Sequence, residues 1–380
     1  MRTKIILRTI RLCVVILLNL FNFVIAEDLK SNPASGFCPV DSNRISEILI
    51  MISNHNRSNY EQIKTWQGKL EVIEDYIYQG ARAEKVFKVD TDGRGEIPSK
   101  IRKHTETIIE FSLHAGKAFI HAAYSPITPL QYTDLETGRE LGAKGVLGSR
   151  TAILTPDYQY DCTGDRMRNR VIVSRMAVKQ ARAKNSLACD STLPPVYDPR
   201  KSFSAFGDHT WELFPKLVEL IKQHGKFSVD AYDLKVEELK DGDISKYRVT
   251  LPSKQNLESQ LYLFFTLVFR SDKGFNIISF QETDHNGRLL QNRTWEYDLV
   301  NGVYVASKMT QQDFDWSNGN LRHERIVTLK NQKVNSFIPE ETFTYKNLGL
   351  NNSDKFIDNI LDKEYTYQDG VLIEVQKGKK

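Results

Sequence analysis

The sequence predicts an α+β fold: one large curved antiparallel sheet, an open half-barrel built as a long-stranded meander and wrapped around a few helices. Three observations predict it. Residues 41–60 and 211–225 place apolar side chains at helical spacing, while most of the other legible segments alternate with period two. Asn286-Gly287, Asn301-Gly302, Asn318-Gly319 and Asp369-Gly370 sit between strand-like runs, where primed hairpin turns belong. The first three are 15 and 17 residues apart, wider than the spacing of about 8–12 in sandwiches, and long antiparallel strands must twist and coil.

The chain opens with Arg2, Lys4, Arg8 and Arg11, followed by an apolar run over 12–26 that ends in Val24-Ile25-Ala26. This is the pattern of a signal peptide cleaved after Ala26. At about 1.5 Å per residue the run reaches roughly 22 Å, short of a hydrocarbon core of about 30 Å. Asn19 and Asn22 weaken a spanning helix further, so a periplasmic or secreted protein is expected, with an uncleaved anchor as the alternative. Neither Cys13 nor Cys38 is placed for a lipid anchor. Removing the segment takes Lys+Arg from 52 to 48, equal to the 48 Asp+Glu. A formally neutral mature chain has no global pull toward nucleic acid.

After a linker at 27–41, a single domain is expected over 42–375. Its first helix presents Ile45, Ile48, Leu49 and Ile52 behind a capping Asp41 or Ser42. Strands are expected near 65–78, 82–90, 104–113 and 117–123, with turns at 91–95 and 115–117. In IKTWQGKLEVIEDYIY (63–78), Trp66, Leu70, Val72, Tyr76 and Tyr78 share one face, against Gln67, Lys69, Glu71 and Asp75. Residues 125–205 lose this regularity and carry Pro126, Pro129, Pro156, Pro194, Pro195 and Pro199, so an irregular basic insertion serving as a lid is expected there. WELFPKLVELIKQHG (211–225) gives the second helix, capped at Gly225.

Strands resume at Lys226. QLYLFFTLVF (260–269) sets Leu261, Leu263, Phe265, Leu267 and Phe269 against Tyr262, Phe264 and Val268, a strand buried on both faces. In RLLQNRTWEYDLV (288–300), Arg293 shares the apolar face with Leu289, Trp295 and Tyr297. A charge there needs an ion pair from a neighbouring strand or a ligand.

No HExxH, GxSxG or phosphate-binding glycine motif occurs, so no catalytic residue, cofactor or metal is assigned. His114 and His121 flank the turn in LHAGKAFIH, but two ligands do not define a zinc site. Asp90, Asp92 and Glu96 in VDTDGRGE lack the ligand alternation of a calcium loop and read as a hairpin turn. Cys162 and Cys189 bracket a basic segment and are expected to pair, worth about 3 kcal/mol in the chain-entropy model; three reduced thiols are the alternative. If that segment is helical, Arg168, Arg175, Lys179 and Arg182 share a face suited to an anionic envelope surface. A solvated basic loop is the plainer account.

The helix at 42–60 running into TWQGKLEVIEDY, together with GFNIISFQETDHNG and then RTWEYDLVNGVYVASKM, resembles the periplasmic lipoprotein-carrier (LolA-like) superfamily. The resemblance is architectural and carries over no functional residue. It implies an incomplete antiparallel barrel that wraps helices and shelters acyl chains. On that reading an exported envelope protein binds an acyl chain, lipid or lipoprotein in its concave face, with Trp66, Tyr76, Phe264, Arg293, Trp295 and Tyr297 as ligand-binding candidates. A structural or interaction component of the envelope and a secreted hydrolase are the alternatives.

Overall fold

The computed structural model describes residues 36–90, 98–114, 117–124, 130–141, 149–165, 170–177, 210–256 and 261–375. In chain order come β1 (Cys38–Pro39), α1 (Ile45–Glu61), β2 (Thr65–Gln79), α2 (Ala81–Asp90), β3 (Lys100–His114) and β4 (Lys117–Tyr124). Next are β5 (Leu130–Asp134), β6 (Glu140–Leu141), β7 (Ser149–Leu154), β8 (Tyr158–Asp165) and β9 (Arg170–Ala177). After α3 (Thr210–His224) follow the hairpin β10 (Ser228–Val229) and β11 (Tyr232–Asp233), then β12 (Lys235–Asp241), β13 (Ile244–Asn256) and β14 (Leu261–Arg270). The meander continues through β15 (Asn276–Asp284), β16 (Leu289–Val300), β17 (Val303–Phe314) and β18 (Leu321–Val334). Three short strands close the chain: β19 (Lys355–Asp358), β20 (Lys363–Gln368) and β21 (Val371–Glu374).

From β12 to β18 each strand pairs antiparallel with the next, and β18 pairs with β2, so an N-terminal strand continues the C-terminal meander. Beyond β2 lies β3, which splits its partners between β4 at one end and β5 at the other. The sheet then runs through β7, β8 and β9 to a parallel pairing with β19. The architecture is the expected α+β open half-barrel.

On the inner face, Ile48, Leu49 and Ile52 of α1 and Phe214, Leu217 and Val218 of α3 pack on Trp66, Leu70, Val249, Leu267, Phe269, Trp295, Met309 and Val327. Burial of this amphipathic stripe, more than helix propensity, holds α1 and α3 in place. Asp41 accepts the Asn43 N–H at the start of the turn leading into α1. Gly225, at φ +74°, terminates α3 as expected. On the outer face, Ile338, Phe343, Leu348 and Phe356 cover Ile153, Tyr160, Cys162 and Val173. The two-faced strand β14 is covered on its second side by the β10–β11 hairpin, where Tyr232 meets Tyr262 and Phe264 at centroid distances of 5.2 and 4.9 Å.

Four expectations change. Residues 82–90 are helical, not a strand: Gly80, at φ +54°, ends β2, and Ala83 and Val86, three apart, pack against Tyr78, Ile101, Tyr132 and Leu141. Residues 125–205 are not irregular throughout, because β5 to β9 lie within them. Pro156 falls in the β7–β8 turn, so it punctuates strands instead of abolishing them. Only two of the four Gly turns are of the primed type: Asn301-Gly302 has φ +51° and +78°, and Asp369-Gly370 +47° and +88°. At the other two only Gly287 and Gly319 take positive φ, in wider turns where Asp284 and Asp315 accept backbone N–H groups. Finally, 170–177 is strand, so Arg175 does not stand on a helical face, and Arg168, Lys179 and Arg182 of the expected basic face lie outside the described residues. Among the described residues, no helix is long and apolar enough to cross a membrane.

Candidate functional site: a polar end on the inner face

Strand register writes three cross-strand rows on the inner face. The first is Glu282, Gln291, Asp313, His323, Tyr76; the second is Phe280, Arg293, Gln311, Arg325, Glu74. The third, Trp295, Met309, Val327, Val72, is apolar and belongs to the core under α1 and α3. One pleat step of a single sheet face therefore separates a helix-covered hydrophobic core from two rows rich in charge.

Asp313 is engaged through both oxygens. Its Oδ1 accepts Gln291 Nε2 at 2.6 Å and Gln311 Nε2 at 3.0 Å, while its Oδ2 lies 2.9 Å from His323 Nδ1 and 3.1 Å from Gln311 Nε2. These four contacts come from three donor atoms, since Gln311 Nε2 is shared between the two oxygens. Glu74 Oε1 lies 3.2 Å from Arg325 Nε and 3.4 Å from the Tyr76 hydroxyl that donates to it. His323 Nε2 stands 3.7 Å from the same oxygen, close enough for an ion pair but too far for a hydrogen bond. The His323 ring stacks on Tyr76, with centroids 4.2 Å apart.

These contacts set the protonation states. Burial pulls His323 down, but Asp313 and Glu74 outweigh it and hold its pKa above the ordinary value. Burial raises Asp313 and Glu74, yet their hydrogen bonds and cationic neighbours leave both below the ordinary carboxylate range. Burial, with the Glu74 charge, pushes the Tyr76 hydroxyl up to about 12. Glu282 goes the other way: burial raises it, Arg293 opposes weakly, and the Asp313 charge adds to the rise.

Arg293 is the cation of the network that makes no ion pair within 4.0 Å among the described residues, whereas Arg325 and His323 each face an acid. Its guanidinium lies 5.7 Å from the Phe280 ring centroid, and its buried Nε, like Arg325 Nε and His323 Nε2, has no hydrogen-bond partner. Burial lowers its pKa, with Asp313 and Glu282 acting against that from a distance. Neither the Asp nor the Glu of the neighbouring strands makes an ion pair with it within 4.0 Å, so the sequence expectation of a satisfied pair is not met.

The other sequence candidates scatter. Trp66 and Trp295 are 1% and 4% exposed and Tyr297 6%, all inside the core, with the Tyr297 hydroxyl donating to the Ile277 carbonyl at 2.8 Å. Tyr76 lies in the polar rows. Phe264 points to the opposite face of β14 from Phe265 and Leu267, away from the others. Arg175 is engaged with Asp358 at 3.0 Å and stacks over Tyr158 at 4.5 Å. Arg168, Lys179, Arg182 and Cys189 lie outside the described residues, as do 91–97 of the acidic turn. Cys162 is buried in β8, and no disulfide forms among the described residues. His121 contacts the Thr151 hydroxyl and His114 the Phe343 ring, and no metal-ligating group of three His, Cys, Asp or Glu occurs among the described residues. A rim cleft of about 120 Å³ beside Tyr78, Arg82 and Asp315 is smaller than the roughly 300 Å³ at which ligand pockets begin.

Glu74, Asp313, His323 and Arg325 were missed by sequence reasoning. The parity of 66–78 does place Glu74 on the aromatic face, and that was the available signal.

No protein-family model matches the chain, and no curated protein matches it. Among solved structures, a DUF1329 family protein from Desulfovibrio piger is similar at 9% identity and TM-score 0.36, over 80% of this chain and 98% of its own. A putative outer membrane lipoprotein-sorting protein domain from Vibrio parahaemolyticus is similar at 11% identity and TM-score 0.35, over 80% and 99%. A LolA superfamily protein from Nitrosomonas europaea follows at 10% identity and TM-score 0.29, also over 80% and 99%. At such scores the fold class rests on this chain's own strand order.

Proposed function

We propose that the protein is an exported, non-catalytic envelope protein that binds a lipophilic ligand, an acyl chain, lipid or lipoprotein, on the inner face of its half-barrel. The observation that carries this reading is the abrupt change on one sheet face from a helix-covered core at Trp295, Met309 and Val327 to charged rows at Arg293, Arg325 and Glu74. An amphiphile matches such a boundary, with its chain over the apolar side and its polar end on the rows. Trp66, Trp295 and Tyr297 then form the floor beneath the site, and Tyr76 and Arg293 are the candidates that reach ligand. Native mass spectrometry of protein taken from its own envelope tests this. A bound lipid mass lost on organic extraction is expected; a ligand-free protein that also takes up no fluorescent fatty acid would contradict it.

A second reading, an interaction component of the envelope, is favoured by one feature. The outward side of edge strand β21 and the residue that follows it expose Val371, Ile373 and Val375, and the β19–β20 turn adds Ile360 and Leu361. An apolar sheet edge of this kind is a template for another chain.

A further inference from the structure

We infer that the ligand of the inner face carries an anionic group, a carboxylate or phosphate, and that Arg293 is the residue that binds it. The inference rests on the inner face being the ligand site and goes beyond it by fixing the charge of the polar end.

The acids nearest Arg293 are committed elsewhere or stand beyond ion-pair distance. Asp313 is held by three donor atoms, Gln291 Nε2, a Gln311 Nε2 shared between both oxygens, and His323 Nδ1. Glu74 serves Arg325 and Tyr76 in the next strands. Glu282, whose pKa burial raises, makes no ion pair with Arg293 within 4.0 Å. A guanidinium cannot shed its proton to escape burial, so Arg293 remains a cation whose Nε has no internal acceptor. Leaving such a donor unpaired costs about 1–3 kcal/mol or more, which an incoming oxyanion would recover. The planar fork suits the two oxygens of a carboxylate or phosphate.

The surroundings supply the apolar half of the match. Phe280 lies under the guanidinium, and Phe265 stacks beside Phe280 with centroids 5.9 Å apart. Phe280 is itself 2% exposed, so an alkyl chain leaving the anion on the β14–β15 side would meet the half-buried Phe265 that stacks on it. Gln291 and Gln311 flank Arg293 and are held by Asp313, so the fork is presented by a braced frame.

Titration calorimetry on the delipidated mature chain, with decanoate, decanol and inorganic phosphate as probes, tests this. Decanoate should bind about ten- to hundred-fold tighter than decanol. Arg293→Met should erase that preference by weakening decanoate far more than decanol, and Arg293→Lys, which keeps the charge but loses the fork, should retain part of it. Equal decanoate and decanol affinities in the parent would overturn the anionic group and leave the lipophile reading standing. Phosphate binding as tightly as decanoate would make the ligand a free anion, and binding of no probe would remove the inner face as a ligand site altogether. Unchanged decanoate preference in a folded Arg293→Met variant would overturn the role of Arg293.

Discussion

At the scale of single residues, the inner face divides into groups that hold the fold and groups that are free to do something else. Trp66 and Trp295 belong to the first: nearly fully buried, each should cost about 3–5 kcal/mol when replaced by Ala, read by urea denaturation. A loss under about 1 kcal/mol would mean that these rings line an open groove instead of filling the core. His323 gives a pH signature. Its raised pKa means its stabilisation is fully present below the ordinary value of 6.5 and is lost as pH rises through the higher folded value. Asp313 and Glu74, both lowered, act on the acid limb: their contribution is present above 3.8 and 4.5 and is lost as pH falls through their folded values. His104, raised by its hydrogen bond to Asp75 on the outer face, adds to the alkaline slope. The melting temperature should therefore decline as pH rises above neutrality, and His323→Gln should flatten that decline without steepening it. Arg293 was legible in the sequence, since its parity with Trp295 put a charge on an apolar face. Its neighbours were not, because Glu74 meets Arg325, and Asp313 meets His323, only through a register between strands, and for Glu74 and Arg325 those strands lie far apart in the chain.

Elements were legible where the local pattern agreed with the tertiary outcome. Both long helices carry apolar stripes that the sheet buries, and the meander strands alternate as one-sided strands should. The α2 segment misled because ARAEKVFKV also satisfies a short alternation, and only Gly80 breaking β2 lets the helix begin. Residues 130–177 misled because their strands are five to eight residues long wherever they exceed two, and Pro156, which sits in the β7–β8 turn, breaks the alternation like a loop residue. Turn chemistry offers a test at this scale. Asn301 sits at φ +51°, and its side chain donates to the Val334 carbonyl at 2.8 Å, tying the β16–β17 turn to the end of β18. Asn301→Ala loses both the left-handed tolerance and the tie, and should destabilise by about 1–2 kcal/mol in thermal or chemical unfolding. Asn286→Ala, at a turn where only the glycine takes positive φ, should cost less.

For the whole molecule, the open half-barrel around two helices was readable from turn spacing and period, whereas the path of the sheet was not. The meander from β12 to β18 joins the N-terminal strands through β18 and β2, a pairing across some 250 residues that no local signal encodes. That junction is also what assembles the charged rows, since Glu74 and Tyr76 come from β2 and the remaining polar residues from β15 to β18. Fold and candidate site thus share one cause. The central claim, an amphiphile held on the inner face across the boundary at Arg293, is tested most directly by photo-crosslinking the folded protein with a diazirine fatty acid and mapping the modified peptides. Adducts should concentrate in β14 to β17, around Phe265 and Arg293, and should fall away when unlabelled fatty acid competes. Adducts confined to the exposed apolar strip at residues 360–375, or labelling that competitor does not reduce, would contradict it.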